Sequence, residues 1–150
     1  MIKVGITGQH GFIGTHLYHY WGLRDNLFER IPFEDSFFEK ADLLRAFVKK
    51  CDVIVHLAAV NRHLDSEVIY STNIRLVRLL IEAMECEEVR PHVLFSSSIQ
   101  EERDNTYGKS KRDGRVFLEN WARRNGASFT GMVLPNVYGP FGRPNYNSFI

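Results

Sequence analysis

Short apolar runs alternate with amphipathic segments along the whole chain. Residues 2–7 (IKVGIT) form a run rich in β-branched side chains with a glycine directly after it, which is typical of a strand buried on both faces. Residues 41–50 carry apolar side chains at helical spacing, as a helix packed on a sheet does. The full pattern predicts strands at residues 2–7, 27–31, 53–57, 93–95 and 129–134, and helices at residues 12–23, 41–50, 66–85 and 107–125.

This alternation of strands and helices indicates the fold class. A chain that alternates in this way forms a parallel sheet, so we predict a Rossmann-like, doubly wound α/β sheet with helices on both faces. Its 150 residues are enough for one domain with a hydrophobic core, and Gly126 is predicted to cap the last helix. In such sheets ligands bind at the carboxyl ends of the strands, where the unusual motifs of this chain fall.

Composition and charge exclude several classes of function. The chain is 44% apolar and 25% charged with a net charge of +1, so we expect neither a nucleic-acid nor a membrane partner. Cys51 and Cys86 have no metal or redox spacing and the histidines do not cluster, so no metal site is expected. The first predicted strand begins at Ile2, which leaves no room for a signal peptide, and no apolar run would span a bilayer. We therefore expect a cytoplasmic protein.

A glycine triplet follows the first predicted strand in the stretch TGQHGFIG. Gly8 permits a tight turn, Gly11 lets the backbone approach a pyrophosphate, and Gly14 lets helix and strand pack closely. The start of the helix then offers N–H groups and positive potential to the phosphates. The alternative is a plain turn between a strand and a helix, but the position after the first strand of an alternating chain favours dinucleotide binding.

A tyrosine and a lysine four residues apart begin the last predicted helix, in YGKSK at residues 107–111. Residues at this spacing share a helix face, so Lys111 is expected beside Tyr107, where its ammonium would stabilise a phenolate for acid–base catalysis. Three serines, residues 96–98, end the strand before it. The alternatives are an amphipathic helix start with an exposed lysine and serines that cap the strand end, which is the interpretation we favour for Ser96.

These motifs, with DVIVHLAA and LPNVYGP, stand in the order found in the extended short-chain dehydrogenase/reductase family, which the chain resembles over nearly its whole length. The resemblance implies an enzyme in which Tyr107 exchanges a proton with a carbinol while hydride moves to or from a nicotinamide. It also implies that Lys111 hydrogen-bonds the nicotinamide ribose. Ser98 matches the hydroxyl that holds the substrate oxygen, with Ser97 as the fallback.

Further binding residues follow from the same resemblance. Cofactor contacts are expected in the glycine loop, after the strand at residues 53–57 and after the last strand, at Gly8, Gly11, Phe12, Ile13, Gly14, Leu57, Ala58, Ala59, Pro135 and Asn136. Asp35 is expected near the adenine. Arg30 would pair with a ribose 2′-phosphate, which favours NADP, although Glu29 beside it leaves NAD possible. Substrate contacts are expected at Asn61, Arg62 and Asn73.

A narrower resemblance concerns the substrate. The short loop between Ser98 and Tyr107, AAVNR at residues 58–62 and PNYNS at residues 144–148 are similar to bacterial capsule-biosynthesis enzymes that reduce a UDP-2-acetamido-2,6-dideoxy-hexos-4-ulose with NADPH. Ile99 and Gln100 replace the Asp-Glu pair of sugar 4,6-dehydratases, which disfavours dehydration. The alternatives left open are a 4-epimerase that retains NAD and recycles the hydride, and a non-catalytic dinucleotide sensor.

Two expectations concern the larger assembly. Members of the narrower group carry a substrate lobe and a C-terminal cupin domain, so residues 1–150 are expected to be the NAD(P)-binding domain of a longer enzyme. By analogy with the family, a homodimer is expected through the helices at residues 66–85 and 107–125, which carry more apolar side chains than one sheet contact needs. The alternative is that the missing lobe buries these side chains. The apolar residues concerned are Ile74, Leu76, Val77, Leu79, Leu80, Ile81, Val116, Phe117, Leu118 and Trp121.

Overall fold

A computed structural model describes residues 1–142 of the chain, and within them strands and helices alternate as predicted. The elements are β1 (Ile2–Thr7), α1 (Phe12–Gly22), β2 (Phe28–Ile31), α2 (Ala41–Lys50), β3 (Val53–His56), α3 (Ser66–Cys86), β4 (His92–Ser98), α4 (Thr106–Asn125) and β5 (Phe129–Leu134). Two short 3₁₀ helices lie at Asp35–Glu39 and Ile99–Glu102. The predicted boundaries are correct to within three residues, and the largest difference is that β4 continues through the three serines.

The five strands pair in parallel in the order β2-β1-β3-β4-β5, which confirms the predicted fold class. The chain moves from β1 outward to β2 and then crosses back to β3, so the winding direction reverses between β1 and β3. Because these crossovers are right-handed, α1 covers one face of the sheet, and α2, α3 and α4 cover the other. The reversal opens a crevice at the carboxyl ends of β1 and β3, where ligands bind in doubly wound sheets.

The main core lies between the sheet and the layer formed by α2, α3 and α4. Trp121 and Leu118 of α4, Leu80 of α3 and Phe33 after β2 are all fully buried there. Helix α4 ends where Gly126 adopts a left-handed conformation with a φ of 63°, as a glycine C-cap does. Within residues 1–142 no helix is both long and apolar enough to cross a membrane.

The core accounts for half of the apolar residues expected to form an association surface. Ile74, Val77, Leu80, Leu118 and Trp121 are buried within the chain's own core. A narrower set remains wholly or partly accessible, and its members are Leu76, Leu79, Ile81, Val116 and Phe117. The helices therefore bury more of their apolar surface in the monomer than the sequence suggested, because α3 packs against both α2 and α4.

Candidate active site

The glycine loop joins β1 to α1 through contacts that leave no space for side chains. Gly8 has a φ of 74°, and a Cβ atom there would lie 2.7 Å from the backbone nitrogen of Ala58. A Cβ atom on Gly14 would collide with the carbonyl oxygen of Gly8, which also accepts a 3.0 Å hydrogen bond from the Gly11 backbone. The loop is thus folded tightly against the end of β3.

The start of α1 suits a phosphate group. Its N-cap residue is Gly11, which provides no side-chain cap, and its first turn contains no acidic residue. The first N–H groups of a helix have no partner within the helix, so here they are left to a ligand or to water. Phe12 and Ile13, two of the predicted cofactor residues, begin this helix and are partly buried. The cradle at residues 8–14 therefore fits the pyrophosphate of a dinucleotide.

Arg30 lies apart from this cradle. Its guanidinium stacks 4.3 Å above the Tyr18 ring, donates a 3.1 Å hydrogen bond to the Tyr18 carbonyl and packs against Gly22. These contacts are in the C-terminal half of α1, a helix about 15 Å long, whereas the cradle lies at its N-terminus. The structure does not bring Arg30 together with the other predicted cofactor residues. Asp35 is exposed at the start of the 3₁₀ helix after β2.

A buried polar pair joins the ends of β1 and β3. Thr7 and His56 are 0% and 1% exposed, and Thr7 Oγ1 shares a 2.6 Å hydrogen bond with His56 Nδ1. The Thr7 hydroxyl also accepts a 3.5 Å contact from the Ala58 backbone N–H. Burial, with a smaller contribution from the nearby charge of Lys111, lowers the pKa of His56 to about 3, so its ring is neutral. The pair fixes the two strand ends that border the crevice.

The serines at the end of β4 face different neighbours. The Ser96 carbonyl accepts a 2.8 Å hydrogen bond from Lys111 Nζ, whereas the hydroxyl of Ser97 donates to Glu101. The hydroxyl of Ser98 accepts a 3.1 Å hydrogen bond from the Gln100 backbone N–H and stays partly accessible. Since Ser97 is 3% exposed and already bonded, Ser98 is the better placed of the two for a substrate.

Lys111 is almost completely buried, at 3% exposed. Besides the Ser96 carbonyl, its ammonium lies 4.9 Å from the Phe95 ring centroid and 5.7 Å from that of Tyr107. Burial lowers the pKa of Lys111 to about 8, because a charged group loses its hydration there. The lysine and the tyrosine thus share one face of α4, as their spacing predicted.

Tyr107 is held in the first turn of α4 by the geometry of the loop before it. The Asn105 side chain caps the helix by accepting a 2.7 Å hydrogen bond from the Gly108 backbone N–H. A Cβ atom on Gly108 would collide with the Gln100 carbonyl oxygen, so the helix start lies directly on the loop. The loop after Ser98 is therefore packed against α4, and it positions the partly buried Tyr107.

Asn73 connects the other wall of the site to α4. Its amide accepts a 2.7 Å hydrogen bond from the Val60 backbone N–H and donates 2.9 Å hydrogen bonds to the Val60 carbonyl and the Ser110 hydroxyl. Ser110 in turn donates to the Tyr107 carbonyl at 2.7 Å. These bonds engage the Asn73 amide within the protein, so the structure gives it a role in holding the segment after β3.

The remaining predicted residues occupy the segments after β3 and β5. Leu57, Ala58 and Asn61 are partly buried, whereas the exposed members are Ala59, Arg62, Pro135 and Asn136. The segment after β5 turns back to α1, where the Pro140 carbonyl lies 2.9 Å from His16 Nε2. The motif at residues 144–148 lies outside the described residues.

Sequence reasoning missed three residues of this region. His56 interrupts an otherwise apolar strand, and that anomaly could have indicated a buried polar group. Arg115 is eight residues after Tyr107 and so lies on the same helix face, which the spacing could have revealed. Glu101 gave no signal, because a single acidic residue in a loop is ordinarily solvated. Within residues 1–142 no cluster of three or more potential metal ligands occurs.

Comparisons with known proteins agree with this geometry. A family model described as the NAD dependent epimerase/dehydratase family matches residues 4–150. The chain is 37% identical over 151 residues to UDP-2-acetamido-2,6-beta-L-arabino-hexul-4-ose reductase of Pseudomonas aeruginosa, which covers 99% of this chain and 39% of that protein. The chain thus spans about two fifths of the length of this curated relative.

Solved structures show the same fold. The capsular polysaccharide assembling protein CapF from Staphylococcus aureus is 30% identical with a TM-score of 0.75, covering 98% of this chain and 38% of that one. RMD from Pseudomonas aeruginosa, complexed with NADPH, reaches a TM-score of 0.85 at 19% identity, covering 97% of this chain and 58% of that one. At 19% identity, the similarity to RMD is one of fold alone.

The buried ammonium gives a prediction for stability. The pKa of Lys111 is about 8 in the folded chain and has an ordinary value of 10.5, so the unfolded chain binds more protons between these pH values. The buried charge therefore costs about 3 kcal/mol below pH 8, and the cost disappears as pH rises toward 10.5. In urea unfolding, Lys111→Met should be more stable than wild type at pH 7, with an advantage that shrinks by pH 10.

The control for this prediction is Lys109→Met. Lys109 is exposed on the same helix, so its replacement should give no comparable change between pH 7 and pH 10. A difference between wild type and Lys111→Met that is constant over this range would show that the ammonium is not buried as described.

Proposed function

The chain belongs to the NAD dependent epimerase/dehydratase family, and from that premise we propose that it forms the cofactor-binding and catalytic part of a nucleotide-sugar oxidoreductase. The observation that carries the proposal is that the chain combines three elements: the glycine cradle, the buried Lys111, and Tyr107, whose ring centroid lies 5.7 Å from the Lys111 ammonium. A dinucleotide sensor needs only the first of these. A tyrosine beside a buried ammonium supplies a means of proton transfer, which is the requirement of a reductase.

The proposed substrate is a UDP-linked 4-keto deoxy sugar, reduced in the biosynthesis of a capsular or other surface polysaccharide. The support is the 37% identity to a UDP-2-acetamido-2,6-beta-L-arabino-hexul-4-ose reductase and the 30% identity to a capsular polysaccharide assembling protein. A requirement for added cofactor distinguishes this proposed reductase from a 4-epimerase. A reductase consumes one reduced nicotinamide per sugar, whereas an epimerase turns over with the cofactor it retains.

The proposed mechanism assigns the proton transfer to Tyr107. When bound, the nicotinamide supplies hydride to the carbon of the ketone. The Ser98 hydroxyl and the Tyr107 phenol hold the carbonyl oxygen, and Tyr107 donates its proton to the oxygen as negative charge develops there. The Lys111 ammonium stabilises the phenolate that remains and hydrogen-bonds the ribose of the cofactor. His56 is neutral beside this site, so it adds no second positive charge.

We propose NADP as the cofactor, with NAD as the alternative. The support is a neighbour of the same fold that was solved with NADPH, together with an arginine near the end of β2. Arg30 supports NADP less than its position in the sequence suggested, because its guanidinium lies on Tyr18. Binding of a 2′-phosphate by Arg30 would require the side chain to leave that ring.

Replacement of Tyr107 tests the proposal directly. In the full-length enzyme Tyr107→Phe keeps the ring but removes the proton donor, so kcat for reduction of a UDP-4-keto sugar should fall by about 10²–10⁴-fold. The dissociation constant for NADPH, measured by fluorescence titration, should change little because the pyrophosphate is held at the glycine cradle. Lys111→Met is the matched comparison, and it should weaken both turnover and cofactor binding. Near-normal kcat in Tyr107→Phe would contradict the assignment.

A second prediction concerns the extent of the site. Since the chain spans 39% of its curated relative, we propose that residues 1–150 are one part of a longer enzyme whose following part holds the UDP-sugar. In isothermal titration calorimetry the 150-residue chain should bind NADPH, whereas UDP-sugar should bind weakly or give no heat. Tight UDP-sugar binding by these residues alone would show that the substrate site is already complete.

A third prediction concerns association. We propose a homodimer through α3 and α4, where Ile81 and Phe117 line a groove on the outer face. Light scattering should report a dimer for wild type and a monomer for Ile81→Glu, since a carboxylate there would lose its hydration on association. Leu23→Glu is the control, because Leu23 is exposed just after α1 and lies on the opposite side of the sheet. A wild-type monomer at high concentration would contradict the proposal.

A further inference from the structure

Three long side chains follow one another along the inner face of α4. Tyr107, Lys111 and Arg115 are spaced four residues apart, so each is the neighbour of the next along the helix surface. Lys111 reaches the end of β4 through the Ser96 carbonyl. Arg115 reaches the loop between Ser98 and Tyr107, the two residues proposed to hold the carbonyl oxygen. The proposed mechanism assigns Arg115 no role.

Arg115 and Glu101 form a two-pronged ion pair. Arg115 Nε donates to Glu101 Oε1 and Arg115 Nη2 to Glu101 Oε2, both at 2.8 Å. Glu101 is only 9% exposed, and its carboxylate also accepts a hydrogen bond from the Ser97 hydroxyl. These hydrogen bonds, that of Arg115 first, lower the pKa of Glu101, so the carboxylate is charged at neutral pH. A bidentate arginine–carboxylate pair of this kind fixes the relative orientation of the two side chains as well as stabilising their contact.

The pair acts on a short loop that is also attached to α4 at Gln100 and Asn105. Glu101 lies in the 3₁₀ helix Ile99–Glu102, which begins directly after Ser98 and ends four residues before Thr106, the first residue of α4. The loop rests on α4 at Gln100, whose carbonyl oxygen faces Gly108. The Arg115 side chain also packs closely on Gly131 of β5, where an added Cβ atom would lie only 2.7 Å from Arg115 Cδ.

Another ion pair on the same helix shows the contrast. Arg123 and Glu119 are also 2.8 Å apart, but their side chains are 75% and 39% exposed and both belong to α4. Exposed pairs of this type contribute little and constrain nothing beyond their own helix. Glu101 and Arg115 instead connect the end of β4 to the third turn of α4.

We propose that Glu101 and Arg115 are positioning residues, which fix the Ser98 hydroxyl and the Tyr107 phenol at the separation that the proposed ketone reduction requires. The inference rests on the proposed function. Neither side chain touches the glycine cradle or Lys111, so their loss should leave cofactor binding intact. A displacement of about 1 Å between reacting groups costs up to about 100-fold in rate, which sets the expected size of the effect.

The test uses Glu101→Gln and Arg115→Met in the full-length enzyme with a UDP-4-keto sugar and NADPH. Each should lower kcat by about 10–100-fold, with KM and the NADPH dissociation constant within about twofold of wild type. Arg115→Lys keeps the positive charge but cannot make both hydrogen bonds to Glu101, so it should retain more activity than Arg115→Met. If Glu101→Gln or Arg115→Met does not fold, Arg115→Lys provides the test. Arg123→Met, the exposed pair on the same helix, should behave as wild type.

A double-mutant cycle separates positioning from general stabilisation. If Glu101 acts by placing the Tyr107 phenol, Glu101→Gln should lower single-turnover rates far less in a Tyr107→Phe background, where no phenol remains to be placed. An equal loss in both backgrounds, or full activity in Glu101→Gln, would overturn the inference while leaving the proposed function standing. A wild-type enzyme that reduces no UDP-4-keto sugar would overturn the proposed function, and the inference with it.

Discussion

The arrangement at the carboxyl edge of the sheet depends on one buried ammonium group. Lys111 is 3% exposed, and a charge in that position must find partners because it has lost its water. Its partners are the Ser96 carbonyl and the Phe95 ring, both on β4, so these contacts set where α4 meets the end of β4. Tyr107, one turn earlier on the same face, is then carried to the end of that strand. The position of Tyr107, the proposed acid, therefore follows from the hydrogen bond between Lys111 and the Ser96 carbonyl.

The same constraint explains why the neighbouring polar groups are neutral or already paired. A second cation near Lys111 would be repelled, and the fully buried His56 has its pKa lowered to about 3, chiefly by burial and in part by that charge. Thr7 engages the histidine from β1, which ties the strands on either side of the crevice. Each buried polar side chain thus connects two elements of the fold. These bonds hold together the strand ends that border the crevice.

Sequence predicted most of the fold because each element carries its own local signal. β1 is a β-branched run ending in glycine, α2 has helical spacing, and Gly126 closes α4. The glycine cradle and the pair at residues 107 and 111 were also predictable, since short-range spacing defines both. Contacts between distant parts of the chain were not. The placement of Arg30 on Tyr18, the burial of Trp121 and the bond between Glu101 and Arg115 depend on packing between elements, which no local pattern encodes.

The short loop is held in place largely by its own side chains and by α4, which bears on the proposed recognition of a sugar. Three of its polar side chains hold the loop itself: Asn105 caps α4 and contacts Gln100, while Glu101 is bonded to Arg115. The Ser98 hydroxyl at its start stays the proposed substrate contact of this loop, and Glu102, Arg103 and Asp104 are exposed farther along it. The proposed sugar contacts lie on the opposite wall, in the segment after β3 that Asn73 fixes to α4 through Ser110. That segment carries Asn61 and Arg62, so the network that orients Tyr107 also sets the position of the proposed sugar contacts.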